Sequence, residues 1–202
     1  MPTLIESVRA MWPWEMIAVI LAIVYLLLAI RQNILCWAAA IISTAIYLVL
    51  MFRVGLYMES ALQLFYIAMA IYGWYSWRHG QGLGSGSAHE LQVTSWPLAF
   101  NILPVLLIAF ATVVSGFVLR AYTNAAMPYM DSFTTWGAIV STWMVARKII
   151  QNWHYWFVID TVSIYLYASR GLWLTVLLFA LYLVLIVIGL KEWRKCLPMP
   201  SQ

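Results

Sequence analysis

The sequence predicts an all-α integral membrane protein of seven transmembrane helices, arranged as two three-helix repeats around one central helix (3+1+3). Composition is the first reason. Of 202 residues, 65% are hydrophobic and 9% charged, whereas a soluble domain carries about 25% charged residues. There is too little polar surface here to coat a soluble domain. The second reason is length: seven apolar stretches each approach the roughly 20 residues that cross a hydrocarbon core. The third is internal. A gapless shift of 116 residues places Arg31 on Arg147, Trp37 on Trp153, Gly55 on Gly171, Leu56 on Leu172, Tyr66 on Tyr182, Gly73 on Gly189, Trp77 on Trp193 and Arg78 on Arg194. Trp, Gly and Arg coincide by accident less often than Leu in so apolar a chain, so the match reads as a duplication.

The spans follow in order at 14–30, 34–52, 57–77, 96–118, 132–150, 153–169 and 172–191. The first is read as a retained span, because no n-region and small-residue cleavage site precede it. The first three spans pair with the last three under the shift. Three spans carry the chain to the opposite face, so two units inserted the same way up need an odd number of crossings between them. The stretch 96–118 supplies that crossing and has no partner under the shift. Membrane helices tolerate its Pro97, Pro104 and Gly116. The repeats are then parallel, related by an axis along the membrane normal. The predicted organisation is a first repeat at 1–78, a segment of linker, inversion helix and outer loop at 79–131, and a second repeat with its tail at 132–202. Within it, 78–95 (RHGQGLGSGSAHELQVTS) reads as a flexible linker.

Loop charge sets the orientation. One side holds Arg31, Arg78, Arg147, Lys148, Lys191, Arg194 and Lys195, and the other Arg9, Arg53, Arg120 and Arg170. The richer side is cytoplasmic, which puts the N-terminus outside and the C-terminus inside. The net charge of +4 is spread over the loops, and no basic run suggests nucleic acid. Cys36 and Cys196 form no CxxC, and no HExxH, GxSxG or P-loop occurs. No metal, cofactor or catalytic nucleophile is therefore expected, and the chain is not read as an enzyme.

Asp160 stands near the middle of the sixth span, whereas nearly every other charge lies close to a span end. A carboxylate at that depth costs roughly 2.5–3.5 kcal/mol on insertion scales, so it must face a cavity or a partner. Asn152, Trp153, Trp156, Asp160, Ser163 and Tyr167 fall on one helical face. Lipid offers such a stripe no partner, so it points into the bundle. In the third span Glu59, Gln63, Tyr66, Ala70, Gly73 and Trp77 share a face; in the second, Trp37, Ala40, Thr44, Tyr47 and Met51 do. The shift maps Thr44 onto Asp160. Gln63, an amide well inside a span, can bond a substrate or a neighbouring helix. Trp12, Trp14, Trp77, Trp96, Trp173 and Trp193 read as interface-belt residues. Trp37 and Trp153 fit a belt or a gate, and Trp156, one turn deeper, fits a pocket. Gly73/Gly189 and Gly55/Gly171 fit close packing and turns. A carboxylate among aromatic faces suits a flat cation, with nearby amides and hydroxyls suiting a sugar or carboxamide.

With these residues in view, the chain resembles the PnuC family of bacterial nicotinamide riboside transporters over nearly its whole length. The carriers are Glu15 through Tyr25 to Arg31–Asn33 and Trp37; LQLFY at Leu62–Tyr66 with YGWYSW at Tyr72–Trp77; and NWHYWFVID at Asn152–Asp160, leading to Tyr165 and Tyr167. The resemblance implies a SWEET-like fold with variant packing, an inner-membrane location, and facilitated uptake of nicotinamide riboside, trapped by a cytoplasmic riboside kinase. Substrate contacts expected on this reading are Asp160, Trp156, Asn152, Gln63, Tyr66, Thr44, Trp153 and Trp37. Asp160 stands alone as a membrane-embedded carboxylate, which favours uniport. Partners are the riboside and the lipid bilayer, with a homo-oligomer left open. Similar proteins take thiamine or riboflavin. An intramembrane enzyme and a scaffold are the readings from other classes; turnover by the purified protein, or binding of no small molecule, would mark them.

Overall fold

A computed structural model describes residues 4–53, 57–80, 91–123, 127–169 and 173–197, with side chains from Pro13 onward except at 51, 57–61 and 173–175. The described residues form seven α-helices: α1 (Leu4–Ile30), α2 (Leu35–Arg53), α3 (Tyr57–His79), α4 (Ile102–Tyr122), α5 (Pro128–Ala146), α6 (Asn152–Ala168) and α7 (Trp173–Lys195), with a 3₁₀ turn at Leu98–Asn101 before α4. The chain divides into two compact units, 1–91 and 92–202.

Element boundaries depart from the sequence reading where proline or the backbone decides. The fourth span was expected from 96, but Pro97 stands outside α4, preceding the 3₁₀ turn. Pro104 sits in the first turn of α4, where a missing N–H costs no helical bond. α5 begins at Pro128, earlier than the expected 132, because its first turn carries Asp131, a charge at which a span read from hydropathy stops. It ends at Ala146 rather than 150, because Lys148 adopts φ 50°, a left-handed conformation that stops a helix. α1 extends back to Leu4 through Pro13. Cys36 is buried, Cys196 exposed, and both are free.

Among the described residues, three helical segments are long and apolar enough to cross a membrane: Pro13–Ile30, Leu98–Tyr122 and Val176–Lys195. Leu35–Leu50 in α2 is apolar but shorter. α3, α5 and α6 carry the polar and small residues that lower their hydropathy, such as Gln63, Ser141 and Asp160. α4 presents Leu103, Leu106, Phe110, Val113 and Phe117 on an exposed apolar face.

Within the first unit α2 packs on both α1 and α3; within the second, α6 packs on both α5 and α7, and α5 packs on α4. Glycine makes several of these approaches. A Cβ at Gly73 (α3) would collide with the Trp37 ring (α2), and one at Gly189 (α7) with the Trp153 ring (α6). Gly137 (α5) receives Ile159 (α6), and Gly116 (α4) receives Tyr129 (α5).

The two units share local detail at residues 116 apart. The Asn33 amide donates to the Leu28 carbonyl, and the Ile149 amide to the Met144 carbonyl, both at 2.9 Å. The amides of Gln32 and Lys148 donate to the Ala29 and Val145 carbonyls, both at 3.0 Å. Among the described residues, Gln32 (φ 54°) and Lys148 (φ 50°) are the non-glycine residues of positive φ. Trp37 meets Trp77 edge to face at 5.4 Å and 83°; Trp153 meets Trp193 at 5.3 Å and 89°.

Candidate functional site

α6 positions the candidate site. At about 100° per residue, Asn152, Trp156, Asp160, Ser163 and Tyr167 lie along one side of it. Burial follows that side: Asn152 is 0%, Asp160 3% and Ser163 4% exposed. Trp156 and Tyr167 are half-buried, while His154, Phe157, Val158, Thr161 and Tyr165 are exposed on the opposite side. Ile159 and Leu166 are buried at the margin of the stripe. Ile159 fills the space above Gly137, so the stripe's flank is a packing contact with α5.

Among the described residues, the Asp160 carboxylate has no ion pair and no hydrogen bond. Asn152 donates from Nδ2 to the Ile149 carbonyl (2.6 Å), while its Oδ1 is buried without a partner. Unpartnered buried polar atoms are uncommon and call for a reason. Ser132 Oγ and Ser141 Oγ in α5 are in the same condition.

Trp37 and Trp153 are sealed, at 1% and 2% exposed, each between a glycine and an edge-on tryptophan. Among the described residues their indole N–H groups have no acceptor. Both are interhelical packing residues in this conformation rather than belt residues. Trp77 and Trp193, read as belt residues, are corrected likewise: they are 3% and 0% exposed. They lie near span ends, as a belt would, but on the inward faces of their helices. Trp14 is 54% exposed, as a belt residue would be; the Trp12 and Trp173 side chains lie outside the described residues, as do Gly55, Gly171, Met51 and Glu59.

In the first unit Thr44 donates its hydroxyl to the Ala40 carbonyl (2.7 Å) and the Ile41 carbonyl (3.2 Å) of its own helix. Gln63 is half-buried, and so is Tyr66, whose ring meets Phe65 at 5.7 Å. Ser43, one position before Thr44, bonds across helices to the Ala18 carbonyl at 2.8 Å; the sequence reading passed over it for Thr44.

Gln151 is the other omission. Its Nε2 donates to the Ser95 hydroxyl (3.0 Å) and the Trp96 carbonyl (2.8 Å), and its Oε1 accepts from the Trp96 amide (3.1 Å). Thr94 forms a parallel bridge with Ile149. Hence the end of the stretch read as a flexible linker, 91–95, is bound with Trp96 to the α5–α6 turn, with Val93 1% exposed. Val93–Thr94, β-branched and adjacent, was the available signal.

A family model described as "Nicotinamide mononucleotide transporter" matches residues 12–195. Among curated proteins, the riboflavin/roseoflavin transporter RibM of Streptomyces davaonensis is 24% identical over 180 residues, covering 89% of this chain and 83% of that protein. The nicotinamide riboside transporter PnuC of Escherichia coli K12 is 25% identical over 203 aligned residues, covering 89% and 84%, and the Shigella flexneri PnuC gives the same figures. Among solved structures, the crystal structure of the vitamin B3 transporter PnuC matches with a TM-score of 0.71 at 22% identity, over 91% of this chain and 81% of that one. The fold is therefore that of a known transporter.

Proposed function

The chain belongs to the nicotinamide mononucleotide transporter family, and from that premise we propose that it is a bacterial inner-membrane carrier for facilitated uptake of nicotinamide riboside. The observation that carries the proposal is Asp160: a buried carboxylate, without an ion pair among the described residues, on the same side of α6 as Asn152 and Trp156. A carboxylate beside an aromatic face suits a planar cation, since a cation over such a ring gains roughly 0.5–2 kcal/mol. Nicotinamide riboside and thiamine carry that charge, and riboflavin does not. A nucleotide would bring a phosphate to a helix with no Lys or Arg over Asn152–Ala168, which disfavours nicotinamide mononucleotide itself. The near-equal identities to a riboflavin carrier and a nicotinamide riboside carrier make riboflavin the second reading.

In this scheme Trp156 stacks on the pyridinium, Asp160 balances its charge or binds ribose hydroxyls, and Asn152 bonds a polar substituent. Thr44, Gln63 and Tyr66 are further proposed contacts; Trp37 and Trp153, sealed between helices here, are proposed to meet substrate in another conformation of the access cycle. The proposed architecture is two parallel three-helix repeats (1–78 and 132–202) joined through 79–131, in a SWEET-like arrangement; the matching turns at residues 116 apart support it. All seven helices cross the membrane, access alternates between its two sides, and cytoplasmic phosphorylation traps the product. A thermal-shift panel of nicotinamide riboside, nicotinamide, nicotinamide mononucleotide, thiamine and riboflavin tests the assignment. The riboside should give the largest shift; a response to riboflavin alone would replace it with the second reading.

Two further outcomes are expected. Trp156→Ala should weaken riboside binding roughly tenfold, the value of a desolvated stacking contact of 1–2 kcal/mol, while Trp14→Ala should leave it unchanged. Calorimetric titration of both variants decides; equal losses would mean that Trp156 is not in the pocket. On the Lys/Arg asymmetry, a reporter fused at Gln202 should be active only if it works in the cytoplasm. Activity of a periplasmic reporter there would reverse the orientation.

A further inference from the structure

We propose that Gln151 is a positioning residue for substrate: its side chain ties the start of α6 to the segment before α4 and so fixes the register of the Asn152–Trp156–Asp160 stripe. This rests on the functional reading above.

Gln151 immediately precedes α6, and its amide uses both donor and acceptor on one short piece of chain. The pairing with Trp96 is two-ended, N–H to Oε1 and Nε2–H to O, so it resists sliding as well as separation. Backbone bonds flank it: the Thr94 amide donates to the Lys148 carbonyl (3.0 Å), and the Ile150 amide to the Thr94 carbonyl (2.9 Å). One turn further along α6, the Tyr155 hydroxyl donates to the Asn101 carbonyl (3.3 Å), and the Trp96 ring lies 5.9 Å from that of Trp143 in α5. The attachment therefore reaches α5, the turn and the first turns of α6.

The first unit has the same turn, and among the described residues it lacks this fastening. The residue 116 positions before Gln151 is Leu35, whose side chain cannot hydrogen-bond and is 53% exposed. Asn33 there caps its own turn, its Oδ1 accepting from the Leu35 amide at 2.9 Å. The fastened turn precedes the helix that carries Asp160; the unfastened turn precedes the helix that carries Thr44. A binding group acts well only when held within about 0.5 Å of its productive place, and the start of α6 is where that constraint is applied.

The test is calorimetric titration of the purified full chain with nicotinamide riboside and with riboflavin. Gln151→Leu should weaken binding of whichever ligand the wild type takes by roughly fivefold or more, since small misplacements of binding groups are costly. Combining it with Asp160→Asn should cost less than the product of the two single fold-changes, because both act on one stripe. Ser95→Ala, which removes one of the three bonds, keeps the test open if the leucine variant does not fold, and should weaken binding by about twofold. A lower melting temperature with unchanged affinity of the folded fraction in either variant would reduce Gln151 to a structural tie and overturn the proposal. A wild type that binds neither ligand removes the functional reading and this role together; a wild type that binds, with Gln151→Leu binding equally, removes only this role.

Discussion

Gly189→Ala is expected to be the most destabilising single-methyl change in the second unit. The added Cβ would meet the six-membered ring of Trp153 at a separation that real atoms do not adopt. The indole cannot yield easily, because it is 2% exposed and stands edge to face against Trp193. Over-packing of this kind costs about 1–3 kcal/mol and occasionally more. Gly73→Ala should behave alike against Trp37. Melting curves of detergent-solubilised protein measure both. The sharper check is compensation: Trp153→Phe in the Gly189→Ala background should recover part of the loss, because contacting residues are not additive. Strict additivity would show that the glycine matters for some other reason.

Asp160→Asn should nearly abolish uptake of the riboside while the protein still inserts and folds. Asn keeps the shape and much of the hydrogen-bonding capacity and removes the negative charge. If the carboxylate balances the pyridinium, binding should fall by about tenfold or more for the cationic riboside, the value of one modest charge–ring or charge–charge interaction, and much less for its neutral reduced analogue. Equal weakening of both would place Asp160 on the ribose hydroxyls. Uptake in a strain that depends on external riboside, read beside a melting curve, distinguishes loss of transport from loss of protein. Wild-type uptake by the Asn variant would remove this charge from the transport path.

The helices were legible in the sequence because each is either an apolar run of spanning length or an apolar helix with one polar stripe. The side of α6 was legible for the same reason: Asn152, Asp160 and Ser163 recur at helical spacing and are buried together. Depth and environment were less legible. Trp77 and Trp193 sit where a belt residue sits along the chain, and the inward direction of their faces shows in their burial and in Gly73 and Gly189, one turn earlier on the same helices, which receive Trp37 and Trp153. Helix ends were misjudged where hydropathy was the criterion but geometry decided, as at Lys148 with its positive φ and at Pro97. Gln151 was missed because its partners, Ser95 and Trp96, are 55 or more residues away in sequence and straddle the boundary between the stretch read as a flexible linker and the fourth span.

The order of packing has a consequence for how the protein is made. Within each unit, consecutive helices pack on one another: α1 with α2 and α2 with α3 in the first, and α4 with α5, α5 with α6 and α6 with α7 in the second. During synthesis α2, α3, α5, α6 and α7 therefore each meet a partner made before them. Short-range contacts of this kind form early and quickly. The benefit is greatest for α6, whose carboxylate and amide are costly in lipid: when it leaves the insertion machinery α5 is already present, and with it the Gly137 surface on which Ile159 seats. Biogenesis of the polar helix thus depends on the translation order of its neighbours, and a circular permutation that makes α6 the first helix should impair insertion before it impairs transport.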